Sequence, residues 1–226
     1  MIKIYRQLEI QEPILVGADP GEGRSFAAGV CISRKYKDVP LVYHSRIESP
    51  AFGNELYKMG LFIKKKTGEF PLLAVERNIG AATIAKLIEL EYPYGKLYRQ
   101  KTFDRILRQE EDRIGWVTTS ANRRKMLDDL ALAIRRKELK VYDKDIVDEM
   151  LTFIIAERTG EPRPERNHFS DLIMAMAIAN QIVGENIRTA KWAPTVEKKE
   201  KDNYLPEKAE GFITEKFEEK RDWRSG

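Results

Sequence analysis

The apolar positions of this chain fall into two regimes. In the first half they form short, nearly unbroken runs, "PILVGAD" (13–19), "SFAAGVCIS" (25–33) and "PLVYHSRIE" (40–48), separated by polar turns. Runs of this length joined by short reversals predict three strands in an antiparallel meander. The Gly-containing segment at 20–23 and the "RKYKD" tip at 34–38 supply the turns. Leu56, Met59, Phe62 and Ile63 then recur at helical spacing before Gly68, a stop signal. "PLLAVER" (71–77) is again an apolar run of strand length. It precedes a predicted helix from Ala81 to about Glu91 and a short strand near Leu97 to Gln100. Strand, helix and strand imply a parallel crossover, so the sheet is expected to be mixed, with an antiparallel first part and a parallel remainder.

The second half is helical in pattern. "FDRILRQEEDRIGWVTT" is irregular, either a charged hairpin or a loop. Thr119 or Ser120 can cap a helix to about Arg136, with Met126, Leu127, Leu130 and Ile134 on one face. Asp143 can cap another, running through Ile155. "RTGEPRPERN" is a loop by composition, and "SDLIMAMAIANQIVG" is apolar almost all round, which predicts a buried helix ending at Gly184. From about residue 188 Lys and Glu mix with few aliphatics. The division expected is one α/β domain over 1–187 and a charged, flexible or partner-docking tail over 188–226.

Composition changes this picture little. Of 226 residues 34% are charged, yet 40 basic and 36 acidic side chains leave a net charge of only +4. That permits a basic patch without requiring one. The single cysteine, Cys31, excludes a disulfide or cysteine-metal framework. No apolar stretch approaches the roughly 20 residues that span a bilayer, and no signal peptide opens the chain, so an intracellular setting is expected.

The informative positions are isolated carboxylates in apolar context. Asp19 ends the first run before Pro20-Gly21, Glu76 ends "LLAVE", and Asp171 opens the last helix. Asp19 taken singly fits a phosphate loop, a metal site or an ordinary Asx turn. Glu76 taken singly fits an ion pair with Arg77 or Arg24, and Asp171 a helix-start charge. If the runs at 13–19 and 71–77 are parallel neighbours, Asp19 and Glu76 leave the sheet at one edge, over which Asp171 can lean. Three carboxylates gathered in low dielectric repel one another unless cations lie between them. Hard oxygen ligands favour Mg²⁺ or Mn²⁺. Two such ions about 3.5–4 Å apart can bracket a phosphate, one activating water and the other stabilising the leaving oxygen.

The segments "LVGADPGEGRSFAAGV", "LLAVERN", "IGWVTTSANRRKMLDDLALAIRRKELKVYDKDIVDEMLTF" and "NHFSDLIMAMAIA" together resemble the nuclease domain of bacteriophage terminase large subunits. The resemblance covers about residues 12 to 185 and implies a ribonuclease H-like, resolvase-like fold. It implies a metal-dependent endonuclease that cuts double-stranded viral DNA concatemers during packaging and leaves 3′-hydroxyl and 5′-phosphate ends. Asp19, Glu76 and Asp171 take the catalytic and metal-binding positions for two Mg²⁺ or Mn²⁺ ions. By the same resemblance the partners are DNA, the portal protein, the small terminase subunit and the large subunit's ATPase domain, in the host cytoplasm. Two departures stand out. The family often has adjacent aspartates on the final helix, commonly after His; here His168-Phe169-Ser170-Asp171 places Ser170 at the first of them. His168 is a candidate accessory group and Ser170 a helix cap. There is also no G-x-x-x-x-G-K-[ST] loop, so the ATPase motor is not part of this sequence.

Arg24, Arg77, Arg99, Lys101 and Arg105 surround the expected edge and are candidate phosphate contacts. Trp116 is expected in the core. Two alternatives remain. Asp19-Pro20-Gly21 also fits the phosphate loop of an actin-like ATPase, though a second Asp-x-Gly lobe is missing, and Ser170 keeps open a non-catalytic DNA- or protein-binding module.

Overall fold

The computed structural model describes residues 1–21, 25–104, 109–157, 160 and 162–184. Arg24, Arg105 and the expected tail from 188 onward lie outside the described residues. A five-stranded sheet holds β1 (Ile2–Ile4), β2 (Ile14–Asp19), β3 (Ala27–Ser33), β4 (Asp38–Ser45) and β5 (Leu72–Val75), in the order β1-β4-β3-β2-β5. The pairs β2·β3, β3·β4 and β1·β4 are antiparallel, whereas β2·β5 is parallel. The expected mixed sheet is therefore present, and β1 is an additional edge strand. Between β4 and β5 runs α1 (Ser49–Thr67), closed by Gly68 in the left-handed region; α2 (Arg77–Glu89) starts directly after Glu76.

Both sheet faces are covered, and the strands show it by alternation. Along β2, Ile14, Val16 and Ala18 join the cluster containing Phe52, Leu56, Met59 and Ile63 of α1 and Leu87 of α2. Leu15 faces the other way, into the cluster built by α3 (Ser120–Arg135) and α5 (Asp171–Gly184). Along β5, Leu73 and Val75 take the first face, Leu72 and Ala74 the second. With a period of two residues, Asp19 and Glu76 fall on the α5 side.

That side is also where backbone approaches backbone. A Cβ at Gly17 would lie 2.0 Å from the Ala175 carbonyl oxygen and 2.5 Å from the Ala179 nitrogen. Asp171, Ala175 and Ala179 follow one another at four-residue steps, so they share one helix stripe. Small residues let that stripe lie on β2, and its leading member is Asp171.

Several boundaries depart from the sequence expectation, and α2 begins at Arg77, four residues before the expected Ala81. The strand expected near Leu97 to Gln100 is reduced at Leu97 to a single parallel bridge to Leu73, while β6 (Arg99–Asp104) and β7 (Gln109–Ile114) form a separate hairpin, one of the two readings of the irregular segment. The helix α4 (Lys144–Leu151), capped by Asp143 as expected, stops four residues early, because Phe153–Ile155 pairs as β8 with Pro162–Pro164, β9. The segment read as a loop thus contributes a strand. Thr119 caps α3 in a reciprocal box with Asn122. Among the described residues no helix is long and apolar enough to cross a membrane.

Two buried polar clasps fasten β1 and the segment after it. The Arg6 fork donates to Asp38 (2.7 and 2.8 Å) and to Glu12 (2.5 and 3.1 Å), both carboxylates being almost wholly buried. Lys3 and the Tyr5 hydroxyl donate to Asp143. Burial opposes ionisation of Glu12 and Asp143, yet the hydrogen bonds they accept outweigh it and hold both below the ordinary carboxyl range.

Two outcomes follow from this architecture. Gly17→Ala pushes α5 away from β2 and lowers stability by about 1–3 kcal/mol or more, read as a fall in the urea midpoint. Arg6→Ala strands two buried carboxylates and costs about 3–5 kcal/mol. Because Glu12 and Asp143 titrate below their unfolded values, their contribution is complete above about pH 4.3. It is lost as pH falls through the folded values, so wild-type stability declines on acidification and Arg6→Ala flattens the decline. Urea titrations at pH 7 and pH 3.5 measure both.

Candidate metal centre

The parallel pairing of β2 with β5 decides where the acids go. Ala18 pairs with Val75, and the Glu76 N–H donates to the Ala18 carbonyl at 2.8 Å, so Asp19 and Glu76 emerge from neighbouring strands at one edge. Asp19 also pairs with Ala28 of β3. One residue before β3, the Phe26 N–H donates to Asp171 Oδ2 at 2.9 Å, which fastens the start of α5 to the same edge. Three acids separated by up to 152 positions in the chain therefore share one rim, as the sequence led us to expect.

All three are mostly buried, with 5%, 8% and 7% exposure for Asp19, Glu76 and Asp171. Burial, then the nearby Glu76, pushes the Asp19 carboxyl well up; Asp171 and Glu149 add to the effect, and the Gly21 N–H on Asp19 Oδ1 (3.2 Å) opposes it. The Asx turn anticipated at Asp19 is thus real, and Gly21 takes the positive φ of 62° that the turn requires. Asp171 is also raised by burial, against the hydrogen bonds from the Phe26 N–H and from Ser25. Burial thus disfavours the ionised forms of Asp19 and Asp171.

A fourth acid, Glu149, was not singled out from the sequence. It lies on α4, and its Oε2 accepts the Ile173 N–H at 3.0 Å, in the first turn of α5. Burial raises its carboxyl to about 7, helped by Asp171 and opposed by the α5 backbone N–H groups. The first turn of α5 is thereby held by a side chain 24 residues upstream. Acidic neighbours on α4, Asp145 and Asp148, made Glu149 look like part of a solvated face.

The donor set is all oxygen, buried and anionic, which fits a hard divalent cation and not a soft one. Among the described residues no three His, Cys, Asp or Glu side chains close up into a ready-made cage. The carboxylates thus share a rim without forming a tight cluster.

The accessory candidates divide. Ser170 lies at the head of α5, its carbonyl accepting the Met174 N–H at 2.8 Å; His168 is exposed. Arg77 donates from its side chain to the Ile114 carbonyl at 3.2 Å. Arg99 stacks over Tyr94 at 4.8 Å, at the foot of the β6–β7 hairpin, where Lys101 is exposed. Trp116 is buried, as expected, beside Tyr98.

No protein-family model matches the chain, and no curated protein matches it by sequence. Its solved structural neighbours are nuclease domains of terminase large subunits. The large terminase nuclease of thermophilic phage G20c with bound magnesium is similar at a TM-score of 0.61 and 13% identity, over 80% of this chain and 86% of that one. The large terminase nuclease domain of Thermus phage P74-26 gives 0.56 and 13%, over 79% and 83%. The manganese-soaked human cytomegalovirus terminase nuclease domain gives 0.53 and 11%, over 79% and 86%. The mixed sheet flanked by helices is the ribonuclease H-like fold of these nuclease domains.

Proposed function

We propose that this chain is a metal-dependent endonuclease that cleaves double-stranded viral DNA during genome packaging, by hydrolysis at a two-metal centre in the host cytoplasm. The observation that carries the proposal is the gathering of buried carboxylates at the β2–β5 edge, where Asp19 is electrostatically coupled to Glu76, Asp171 and Glu149. The fold supports it, since nuclease domains with the same fold have been solved with magnesium or manganese. Asp19 would hold both cations, with Glu76 and Asp171 completing the ligand set. Divalent ions held there would supply Lewis-acid stabilisation of the charge on the phosphoryl and leaving oxygens. The protein's own part is positional. The β2–β5 pairing fixes Asp19 beside Glu76, the Gly17 contact and the Phe26 N–H fix Asp171, and Glu149 holds the first turn of α5. The large-subunit ATPase domain, the small subunit and the portal are the partners of such a domain.

Incubation of plasmid DNA with Mn²⁺ or Mg²⁺ tests the proposal. Wild-type protein nicks and linearises the plasmid, and Asp19→Asn reduces cleavage to background. An Asp19→Asn protein cutting at the wild-type rate refutes the assignment, and ATP turnover would point to an actin-like enzyme instead.

A readout independent of cleavage is available because the acids repel. In chelator at pH 7.5, Asp19→Asn raises the thermal midpoint by a few degrees, about 2–4 °C per kcal/mol for a domain of this size. The folded protein binds protons more tightly than the unfolded chain at Asp19 and Glu149. Their stabilising protonation is complete below the ordinary carboxyl range and lost as pH rises, for Glu149 through about 7. The advantage of Asp19→Asn therefore shrinks toward pH 5. Mn²⁺ stabilises wild type but not Asp19→Asn, and Glu149→Gln shows a weakened Mn²⁺ shift; scanning fluorimetry records all three.

A further inference from the structure

A cation stands at the same sheet edge as the carboxylates. Ser45, the last residue of β4, pairs with Ala27, and Ala28 pairs with Asp19. The strands β2, β3 and β4 therefore meet one edge together, and Arg46 is the first residue beyond it. Laterally it stands two strand spacings from Asp19, on the order of 10 Å. The residue is exposed. The guanidinium lies over the Phe26 ring, 4.9 Å from the centroid. Phe26 in turn packs against His44 at 4.6 Å and meets Phe169 edge-on at 5.2 Å and 87°. The same Phe26 donates its backbone N–H to Asp171. The aromatic stack and the proposed metal ligand are thus one mechanical unit.

The charges around this stack are unequal. Burial holds His44 below its ordinary value, so the ring is neutral at pH 7. Among the described residues Arg46 takes part in no ion pair, and its contact is with the Phe26 ring. A rim of four carboxylates repels a polyanion. An adjacent guanidinium, planar and held flat by an aromatic face, offsets that repulsion and matches a phosphate with two parallel N–H donors. Stacking before contact also lowers the entropy lost on binding.

We propose that Arg46, seated on Phe26, binds a backbone phosphate of duplex DNA next to the carboxylate rim and so orients the strand across it. This rests on DNA being the substrate, and it adds a contact that charge patterning along the sequence did not isolate. The contact is with the backbone, so it fixes position and carries no base preference.

The test is binding, measured apart from cleavage. Fluorescence anisotropy of a labelled duplex in chelator, across a salt series, compares wild type with Arg46→Gln and Lys140→Gln. Lys140 is exposed and bridges Asp38, at the opposite end of β4, so it serves as the control. Loss of one phosphate contact reduces the magnitude of the slope of log K against log salt by about 0.9. Arg46→Gln is expected to show that reduction and Lys140→Gln the wild-type slope, with thermal midpoints unchanged. An unaltered slope and affinity in Arg46→Gln, or a wild-type protein that does not bind duplex, overturns the proposal. Metal-dependent nicking is scored separately. Its absence would remove the nuclease assignment while leaving the phosphate contact decided by the salt series.

Discussion

The contact between α5 and β2 at Gly17 is the constraint on which the rest depends. No side chain fits between that strand and the backbone of Ala175 and Ala179. The helix therefore lies on the sheet as closely as two backbones allow, and its first residue is carried to the strand end where Asp19 emerges. A larger residue at Gly17 would lift the stripe of Asp171, Ala175 and Ala179 as a whole. Packing deep in the core thus sets the position of a carboxylate at the rim, and the hydrogen bond from Phe26 completes the attachment.

The same edge shows how stability and chemistry oppose each other. Elsewhere the protein compensates its buried acids, as the Arg6 fork does for Glu12 and Asp38. At the β2–β5 edge it gathers carboxylates, and burial disfavours the ionised forms of Asp19 and Asp171. Concentrating like charge where burial is high is costly, and this is the arrangement a binding site for divalent cations requires.

Much of this was legible in the sequence, for identifiable reasons. The meander, the parallel return of residues 72–75 and the buried last helix follow from apolar runs that two-sided burial makes nearly continuous. Asp19, Glu76 and Asp171 stood out because each interrupts such a run. Glu149 and Arg46 did not, because one sits among other acids on a half-exposed helix and the other follows a strand end among polar residues. Their significance comes from tertiary partners, Ile173 and Phe26, that no local pattern encodes. The early end of α4 was hidden for a related reason. The apolar Phe153, Ile154 and Ile155 continue a helical period, and only pairing with Pro162–Pro164 turns them into a strand.

The root of the β6–β7 hairpin is bonded around one of these acids. Trp116, just beyond β7, donates its N–H to the Val75 carbonyl and accepts that of Arg77, 2.8 and 2.7 Å respectively. Glu76 is thus bracketed on both sides by the segment that carries the hairpin. A pull on that arm cannot be absorbed there without loading the two bonds astride the acid, whereas Asp19 and Asp171 hang from other supports. Rigidity at this rim is uneven: one carboxylate is wired to an outlying limb, and the other two are anchored in the interior.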